Sequence, residues 1–327
     1  MKRFRRLRKN EAIRDLVSNI NISKNDFVLP FFVKYGKTEE IKNMPKIFRY
    51  SIDDLLKEIE EIYKKGLKSI ILFGVIDKNN EKFNNEGVCE KAFSEDGIVQ
   101  KAIRKIKENF PDLIVISDVC LCNYTETGHC GIVKNKGNNY YIDNDKTLEI
   151  LEKIALSHAF CGVDFVAPSS MMDFQTKAIR EVLDKNNFID VGIISYTCKY
   201  ASNLYFPFRE SVSSNLKFGD RKTYQMDFRN SDEFIIKAKQ DIQEGADILM
   251  VKPAIPYLDI IYRMKKELHY PLCAYNVSGE YVMVKDYVKR FGEEIEKDII
   301  FEILTSIKRA GADFIISYHA KEILKWI

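Results

Sequence analysis

The 327-residue sequence has neither a long apolar run nor a large charge of one sign. A helix that crosses a bilayer needs roughly 18 consecutive apolar residues, and no stretch approaches that length, so we expect no membrane partner. Lysine and arginine total 51 against 48 aspartate and glutamate, a formal net charge of +3. So small an excess gives no electrostatic reason to expect a nucleic-acid partner.

The chain also lacks an export signal and an internal linker. The basic start, Lys2 to Lys9, continues into Asn10 and Glu11, where a secretory signal would become apolar. No segment rich in proline, glycine and serine divides the rest. We therefore expect a cytoplasmic protein with a solvated N-terminal arm, residues 1–25, and a single catalytic domain over residues 26–327.

Cysteine is present seven times, an odd number in a long chain without an export signal. A disulfide framework is therefore not expected, and the thiols are interpreted as reduced side chains or metal ligands.

Eight short apolar segments, rich in β-branched and aromatic residues, predict buried parallel strands. They are Phe27–Val33, Ser69–Val75, Leu113–Cys120, Val163–Ser169, Val191–Thr197, Asp247–Pro253, Leu272–Ser278 and Asp313–His319.

Segments with helical periodicity alternate with these strands. They are Ile52–Lys65, Asp96–Asn109, Asn144–Phe160, Gln175–Asn186, Ser231–Glu244, Tyr257–Leu268, Val282–Phe291 and Glu293–Ala310. A repeated Gly-x-Asp sequence at Gly162, Gly245 and Gly311 marks where a helix should end and a strand begin. The alternation predicts an α/β fold, a (β/α)8 TIM barrel. A doubly wound open sheet is the alternative, because a count of strands does not establish closure.

Three cysteines follow the third strand in a Cys-x-Cys-x7-Cys pattern, at Cys120, Cys122 and Cys130. Thiolates bind zinc, and three protein ligands leave a fourth position open, as in a catalytic site. His129 is a further possible ligand, although its neighbour Cys130 completes the triplet. The structural alternative is three unligated thiols beside a loop. The other cysteines lack such spacing and are interpreted as packing residues.

Two lysines end neighbouring predicted strands. Lys252 closes the apolar strand Ile248 to Val251, where burial would penalise the charged amine, lower its pKa and expose a nucleophile for a ketone. Lys199 follows the fifth strand at the same rim, and a second positive charge would lower the pKa of Lys252 further. Lysines at strand ends often extend into solvent, which is the structural alternative.

Several polar side chains are candidates for holding carboxylates. The stretch Tyr205–Gln225 is predicted as a long lid loop carrying Arg209, Arg221 and Gln225. Ser278 and Tyr318 supply hydroxyl groups at the rim. Solvated arginines and ordinary turn or core packing are the structural alternatives.

Taken in order, these motifs resemble the porphobilinogen synthase (5-aminolevulinate dehydratase) family across essentially the whole chain. The resemblance is carried by Arg5-Arg6-Leu7-Arg8, Val28-Leu29-Pro30-Phe31-Phe32-Val33, Ser117-Asp118-Val119-Cys120-Leu121-Cys122, Gly128-His129-Cys130-Gly131, Ala167-Pro168-Ser169-Ser170-Met171-Met172-Asp173, Gly219-Asp220-Arg221-Lys222-Thr223-Tyr224-Gln225-Met226, Met250-Val251-Lys252-Pro253-Ala254, Val277-Ser278-Gly279-Glu280-Tyr281 and Ser306-Ile307-Lys308-Arg309-Ala310-Gly311-Ala312-Asp313.

The resemblance implies condensation of two 5-aminolevulinate molecules into porphobilinogen with loss of two waters, in tetrapyrrole (haem) biosynthesis. It implies that Lys252 forms a Schiff base with the propionate-side substrate and Lys199 with the acetate-side substrate. Asp118 would assist proton transfer and keep Lys199 reactive. The three cysteines match the family branch that binds catalytic Zn2+.

The resemblance also assigns the carboxylate-binding groups and the assembly. Arg209, Arg221 and Gln225 would hold the acetate-side carboxylate, and Ser278 and Tyr318 the propionate-side carboxylate. The family implies a homo-octamer built through N-terminal arms.

Three positions depart from the family pattern. Lys237 occupies the place where many bacterial members carry a glutamate associated with an activating Mg2+, so this allosteric ion is doubtful, and the ammonium could replace it electrostatically. Phe174 stands where glycine is usual, and Phe228 where proline is common.

Two rival functions use some of the same features. A class I aldolase also needs a barrel and a reactive lysine, but has no use for a three-cysteine zinc loop. A non-catalytic, zinc-stabilised protein could bind nucleic acid through the basic arm, and would then bind in a salt-sensitive manner.

Overall fold

The protein is described by a computed structural model that covers residues 1–137 and 139–327. Its strands are β1 (Phe27–Lys34), β2 (Glu39–Glu40), β3 (Phe48–Tyr50), β4 (Ser69–Val75), β5 (Ile114–Val119), β6 (Ile132–Lys136), β7 (Asn139–Asp143), β8 (Phe165–Pro168), β9 (Gly192–Lys199), β10 (Ile248–Lys252), β11 (Leu272–Asn276) and β12 (Phe314–Ser317). Its helices are α1 (Glu11–Val17), α2 (Ile52–Lys64), α3 (Ile98–Asn109), α4 (Asn144–Ala159), α5 (Gln175–Lys185), α6 (Phe206–Ser211), α7 (Glu233–Gln243), α8 (Leu258–Leu268), α9 (Ser278–Phe291), α10 (Glu296–Ala310) and α11 (Ala320–Ile323).

Eight parallel strands form a closed barrel. Their order is β1, β4, β5, β8, β9, β10, β11 and β12, and β12 pairs with β1 through Phe27 opposite Ile315. All eight are the strands expected from the sequence. Closure confirms the (β/α)8 barrel, and the alternative of an open doubly wound sheet is wrong.

The structure also contains smaller elements that were not expected from the sequence. Strands β2 and β3 extend the sheet beside β1, and β6 and β7 form an antiparallel hairpin. The stretch Tyr205–Gln225 is not a continuous loop, since it contains helix α6. Proline near the start of α6 favours a helical turn there, because its fixed φ suits the first helical positions.

The helices cover the barrel with their apolar faces. In α2, Leu55, Ile59 and Ile62 recur at helical spacing and are fully buried. Burying one such side chain stabilises the fold by about 1.5–3 kcal/mol relative to leaving it in water. The same spacing predicted this face from the sequence.

The Gly-x-Asp repeat has a structural purpose. Each glycine, such as Gly245 with φ of +99°, ends a helix in a conformation that L side chains rarely adopt. Each aspartate then accepts a hydrogen bond of 2.7 Å from the backbone N–H that begins the neighbouring strand: Asp164 from Val115, Asp247 from Ile193 and Asp313 from Leu272. The repeat therefore ties adjacent strands together at their amino ends, opposite to the end at which Lys199 and Lys252 lie.

The chain before β1 is exposed. Helix α1 and the short 3-10 turn before it, Phe4–Arg8, bury none of their residues. Among the described residues, no helix has both the length and the apolar character needed to cross a bilayer.

Candidate active site

The two lysines predicted from the sequence meet inside the barrel. Lys199 ends β9 and Lys252 ends β10, and the two residues are register partners on neighbouring strands. Both side chains are buried, with 5% exposed. The structure therefore does not support the alternative in which they extend into solvent.

A β-bulge in β9 brings about this pairing. Leu249 lies opposite Ser195, but Val251 lies opposite Cys198, so β9 contains one extra residue. Ser195 faces the helix layer, where its hydroxyl donates to Asp241 at 2.7 Å. Strict alternation would point Lys199 to that same outer face. The bulge reverses the alternation and turns Lys199 inward.

Aromatic rings surround the amine of Lys252. Its Nζ lies 4.0 Å from the ring centroid of Tyr275, and Tyr196, Phe208 and Tyr205 follow at 5.0, 5.2 and 5.3 Å. The pKa of Lys252 is lowered to about 7, chiefly by burial and in addition by the charge of Lys199, while Asp118 opposes both. A substantial fraction of this amine is therefore neutral near pH 7.

Asp118 is a buried carboxyl group that interacts electrostatically with both lysines and with Cys130. It lies on β5, two residues before Cys120, and Lys199 donates a hydrogen bond to the carbonyl oxygen of Ser169 beside it. Burial raises the pKa of Asp118 to about 6, although a hydrogen bond with Ser169 and the charge of Lys199 favour its ionised form. A carboxyl group with this pKa can both accept and release a proton near neutral pH.

The three predicted thiols converge. The Sγ atoms of Cys120, Cys122 and Cys130 lie within 4.8 Å of one another, and all three residues are buried. Zinc–sulfur bonds of about 2.3 Å place sulfurs of one tetrahedral site roughly 3.8 Å apart. The cluster fits an ion with one further position to fill, and it is the only such group of metal-ligating side chains found in the described part of the chain.

Contacts with strand β4 and the segment after it hold the cysteine loop. Lys78 donates to the carbonyl oxygens of Thr125 at 2.7 Å and Cys122 at 3.3 Å. The side-chain amide of Asn123 donates to the carbonyl oxygen of Gly74 at 2.8 Å. These bonds constrain the loop independently of a metal ion.

His129 does not join the thiol cluster. Its Nδ1 lies 3.2 Å from the Tyr224 hydroxyl and its Nε2 lies 3.2 Å from the Phe218 carbonyl oxygen. Both ring nitrogens therefore have partners in the segment that covers the site.

That covering segment, residues 212–228, is here called the lid. Arg221 is buried and donates to the carbonyl oxygens of Gly128 at 2.8 Å and Ser214 at 2.9 Å. At the other end, the backbone N–H of Met226 donates to the Lys199 carbonyl oxygen at 3.0 Å. The lid is thus fastened both to the cysteine loop and to the strand that carries Lys199.

Two of the acetate-side candidates, Arg221 and Gln225, belong to the lid, and Arg209 lies in α6 just before it. Burial lowers the pKa of Arg209, and the charge of Arg221 acts in the same direction. Gln225 is 3% exposed, and neither atom of its amide has a hydrogen-bond partner among the described residues. Buried polar groups without partners are costly, and they favour a site that a polar ligand completes.

The propionate-side candidates are placed differently. Ser278 begins α9, and its hydroxyl accepts from the Phe208 N–H at 3.0 Å and lies 3.3 Å from the Leu204 carbonyl oxygen. Tyr318 follows β12, and its hydroxyl lies 3.3 Å from that of Tyr275, the ring nearest to Lys252. Ser278 is therefore occupied by protein contacts, whereas Tyr318 belongs to the aromatic surroundings of Lys252.

Sequence reasoning missed those aromatic surroundings. Tyr196 and Tyr275 occupy interior positions of β9 and β11, and Tyr205 and Phe208 come from the short helical segment after β9. Aromatic residues in buried strands are ordinary core material, so the sequence offered only one signal for them, their closeness along the chain to Lys199 and Ser278.

Lys237 lies beside the lid and contacts an acid. Its Nζ forms an ion pair with Asp241, which is fully buried and also accepts from Ser195. Lys237 and Gln225 both line a cavity of about 560 Å³ next to the site. The cation at this position is therefore neutralised within the protein.

The two aromatic departures from the family pattern have different backbones. Phe174 has φ of +63°, the left-handed region, directly before α5. Phe228 is not among the residues with positive φ. A glycine would adopt the conformation of Phe174 without strain, so the unusual residue keeps the usual turn at an energetic cost.

Comparisons with known proteins agree along the full length. The family model described as delta-aminolevulinic acid dehydratase matches residues 1–326. A protein of that name from Methanothermus sociabilis is 54% identical over 99% of this chain and 98% of its own length, and one from Bacillus subtilis is 46% identical over 99% and 98%. The crystal structure of the dehydratase from Toxoplasma gondii in complex with its reaction product porphobilinogen superposes with a TM-score of 0.95, at 41% identity, over 100% of this chain and 92% of that one.

Proposed function

This chain belongs to the delta-aminolevulinic acid dehydratase family, and we propose that Lys252 and Lys199 are the amines that bind its two substrates. The protein is a hydro-lyase that condenses two molecules of 5-aminolevulinate into porphobilinogen with loss of two waters, a step of tetrapyrrole biosynthesis. The observation that supports the assignment is the direct pairing of two buried lysines beside three converging thiols.

Lys252 is assigned to the propionate-side substrate. Its pKa of about 7 leaves enough neutral amine to attack the keto carbon at physiological pH. Loss of water from the resulting carbinolamine gives the Schiff base. The surrounding rings exclude bulk water and so favour this dehydration.

Lys199 is assigned to the acetate-side substrate, with Asp118 as its proton-transfer partner. Asp118 has a pKa of about 6 and lies within the electrostatic reach of both lysines. It can therefore accept the proton that an imine-activated carbon releases. Arg209, Arg221 and Gln225 would hold the carboxylate of this substrate through charge-assisted hydrogen bonds.

The other carboxylate is assigned to Ser278 and Tyr318. Because the Ser278 hydroxyl contacts α6 and its flanking residue Leu204, it must exchange those partners when substrate enters. The two lysines are nearly fully covered, so entry also requires the lid to move.

We further propose that Cys120, Cys122 and Cys130 hold a catalytic zinc ion. Zinc bound by three thiolates would supply Lewis-acid polarisation to a substrate atom in the fourth position. The zinc content of purified protein, measured by plasma mass spectrometry, should fall with Cys130→Ser and remain with Cys161→Ser, which changes a buried cysteine outside the cluster. Equal zinc content in the two variants would contradict this assignment.

Activation by Mg2+ at Lys237 is not expected. The ammonium group already pairs with Asp241 and cannot ligate a cation. Zinc-restored protein should turn over equally with and without Mg2+ after treatment with EDTA. Clear activation by Mg2+ would contradict the hypothesis that the Lys237 ammonium group takes the place of the ion.

The assembly and compartment are also proposals. The exposed arm, residues 1–25, is suited to packing against other copies in a homo-octamer, with residues 26–327 forming the catalytic barrel. All seven cysteines are free, which is typical of a reducing compartment such as the cytoplasm. No feature of the structure favours the aldolase or the nucleic-acid-binding alternative.

The central experiment is borohydride trapping with 5-aminolevulinate, followed by peptide mapping. Label should appear on Lys252 and Lys199, and Lys252→Met should abolish porphobilinogen formation while the protein stays folded. Lys239→Met, on the exposed side of α7, is the matched control. It should change neither the labelling of Lys252 and Lys199 nor the formation of porphobilinogen. Label on other lysines alone would contradict the site assignment.

A further inference from the structure

Tyr196 is an interior residue of β9 whose ring adjoins Lys252 but whose hydroxyl has no role in the proposal above. It precedes Lys199 by three residues, and the bulge between them allows both side chains to point into the barrel. Tyr196 is fully buried. Its position places it in the barrel interior, next to both lysine amines.

The Tyr196 ring contacts both lysines. The Nζ of Lys252 lies 5.0 Å from its centroid and the Nζ of Lys199 lies 5.5 Å from it. Lys252 contacts several other rings, but among the described residues Tyr196 is the only ring shared by the two amines.

The Tyr196 hydroxyl is buried and has no hydrogen-bond partner among the described residues. A buried hydroxyl without a partner costs about 1–3 kcal/mol. Burial raises the pKa of Tyr196 well above its usual value, and Asp118 adds to the rise. The phenol therefore stays protonated at neutral pH and is available only as a neutral donor or acceptor.

Other hydroxyls near Lys252 are already engaged. The hydroxyl oxygens of Tyr275 and Tyr318 lie 3.3 Å apart, so these two groups can hydrogen-bond to each other. The Tyr205 hydroxyl donates to the Lys252 carbonyl oxygen at 2.9 Å. Three tyrosine rings contact the Lys252 amine among the described residues, those of Tyr196, Tyr205 and Tyr275. Of these three, only Tyr196 has a hydroxyl without a hydrogen-bond partner.

We propose that Tyr196 is a further catalytic residue, whose hydroxyl donates a hydrogen bond to the keto oxygen of the substrate that Lys252 attacks. As Nζ bonds to the keto carbon, the carbonyl electron pair moves onto oxygen, and the hydrogen bond stabilises that developing charge. Both amine protons then leave with the oxygen as one water, and Tyr196 keeps its own proton. This inference rests on the assignment of Lys252 as a Schiff-base lysine.

The chain offers a matched control. Tyr200 is also buried with an unpartnered hydroxyl, but its ring stacks on Tyr257 at 4.0 Å. Tyr200 is bonded to Lys252 through its backbone N–H, which donates to the Lys252 carbonyl oxygen at 3.0 Å, and phenylalanine retains that bond. Tyr196→Phe and Tyr200→Phe therefore remove the same group from equally buried positions, one inside the proposed site and one outside it.

The test uses full-length protein loaded with zinc. Tyr196→Phe should lower kcat and the single-turnover rate of borohydride trapping at Lys252 by about 100- to 1000-fold, the range for losing one preorganised donor. KM should change little, because the hydrogen bond strengthens as charge develops. Tyr200→Phe should trap at the wild-type rate.

Trapping by Tyr196→Phe at the wild-type rate, or an equal loss in Tyr200→Phe, would overturn the proposal. If Tyr196→Phe does not fold, site-specific 3-fluorotyrosine at position 196 keeps the ring and makes the hydroxyl a stronger donor. An altered trapping rate then supports the proposal, and an unaltered rate overturns it. Wild-type protein that labels no lysine within the barrel would instead contradict the proposed function itself.

Discussion

The pKa of Lys252, about 7, results from influences of different origin. Burial is the largest and lowers it, the charge of Lys199 acts in the same direction, and Asp118 and the thiols of Cys122 and Cys120 oppose them. Because Lys199 and Asp118 are neighbours that can be changed singly, their effects on the nucleophile can be separated by substitution.

Lys199→Met removes a positive neighbour and should raise the pKa of Lys252. The neutral fraction of Lys252 would then appear at higher pH, so the midpoint for borohydride trapping at Lys252 should move upward from about 7. Asp118→Asn removes a negative neighbour and should move the midpoint downward. The measurement is the trapping rate against pH, with mapping of the label. A downward shift in Lys199→Met would show that the two amines are not coupled in this way.

Phe174 illustrates a residue held in an unfavourable backbone conformation. Its φ of +63° lies in the left-handed region. Because its side chain is more than half exposed, packing offsets little of the backbone strain. A left-handed non-glycine residue costs about 1–2 kcal/mol.

Phe174→Gly should stabilise the protein by about 1 kcal/mol, since relief of strain exceeds the added entropy of the unfolded chain. Phe228→Gly makes the same chemical change at another exposed phenylalanine without positive φ, and should be neutral or destabilising. Urea unfolding of both variants measures the difference. Equal effects would mean that backbone conformation does not decide the outcome.

At the scale of elements, the Gly-x-Asp repeat joins each helix end to the next pair of strands. Lys107 donates to Asp164 and Lys265 donates to Asp313, so two of the three aspartates are themselves held from a helix. These contacts lie at the amino ends of the strands, whereas Lys199 and Lys252 lie at the carboxyl ends. The contacts that stabilise the strand starts are therefore separated along the barrel axis from the proposed active site.

Asp247→Ala should lower the free energy of unfolding by about 1–2 kcal/mol, because the Ile193 N–H loses its 2.7 Å acceptor. The kcat of the folded variant should be unchanged, since the lost bond is remote from the lysines. Asp286→Ala, at an exposed position of α9, is the control and should leave stability nearly unchanged. A large loss of kcat in Asp247→Ala without loss of stability would contradict the separation.

At the scale of the whole molecule, the first part of the arm is far more exposed than the barrel. Phe4, Leu7, Leu16 and Val17 are all at least half exposed, an apolar set that the described residues leave largely uncovered. Burial of their remaining apolar surface requires another surface.

Deletion of residues 1–23 should reduce the assembly without unfolding the barrel. Multi-angle light scattering should report a smaller oligomer, and circular dichroism should keep the barrel signal apart from the short arm helix. Substituting Leu16 and Val17 with serine in the full chain should act in the same direction. An unchanged oligomer in both cases would contradict a role of the arm in assembly.

The alternation of strands and helices, the three-cysteine pattern and the two strand-end lysines could all be predicted from the order of residues. These are local properties, since hydrophobic periodicity and residue spacing are read along one short segment. The eight strands of the barrel could be predicted for that reason, whereas the β6–β7 hairpin and α6 carried no comparable periodic signal.

Three further features became evident only in the folded chain: closure of the sheet, the bulge that turns Lys199 toward Lys252, and the free hydroxyl of Tyr196. Each depends on register or contact between residues far apart in the chain: β12 against β1, β9 against β10, and Tyr275 against Tyr318. A one-residue shift in β9 reverses every side chain beyond it, and residue order along a single strand contains no information about such a shift.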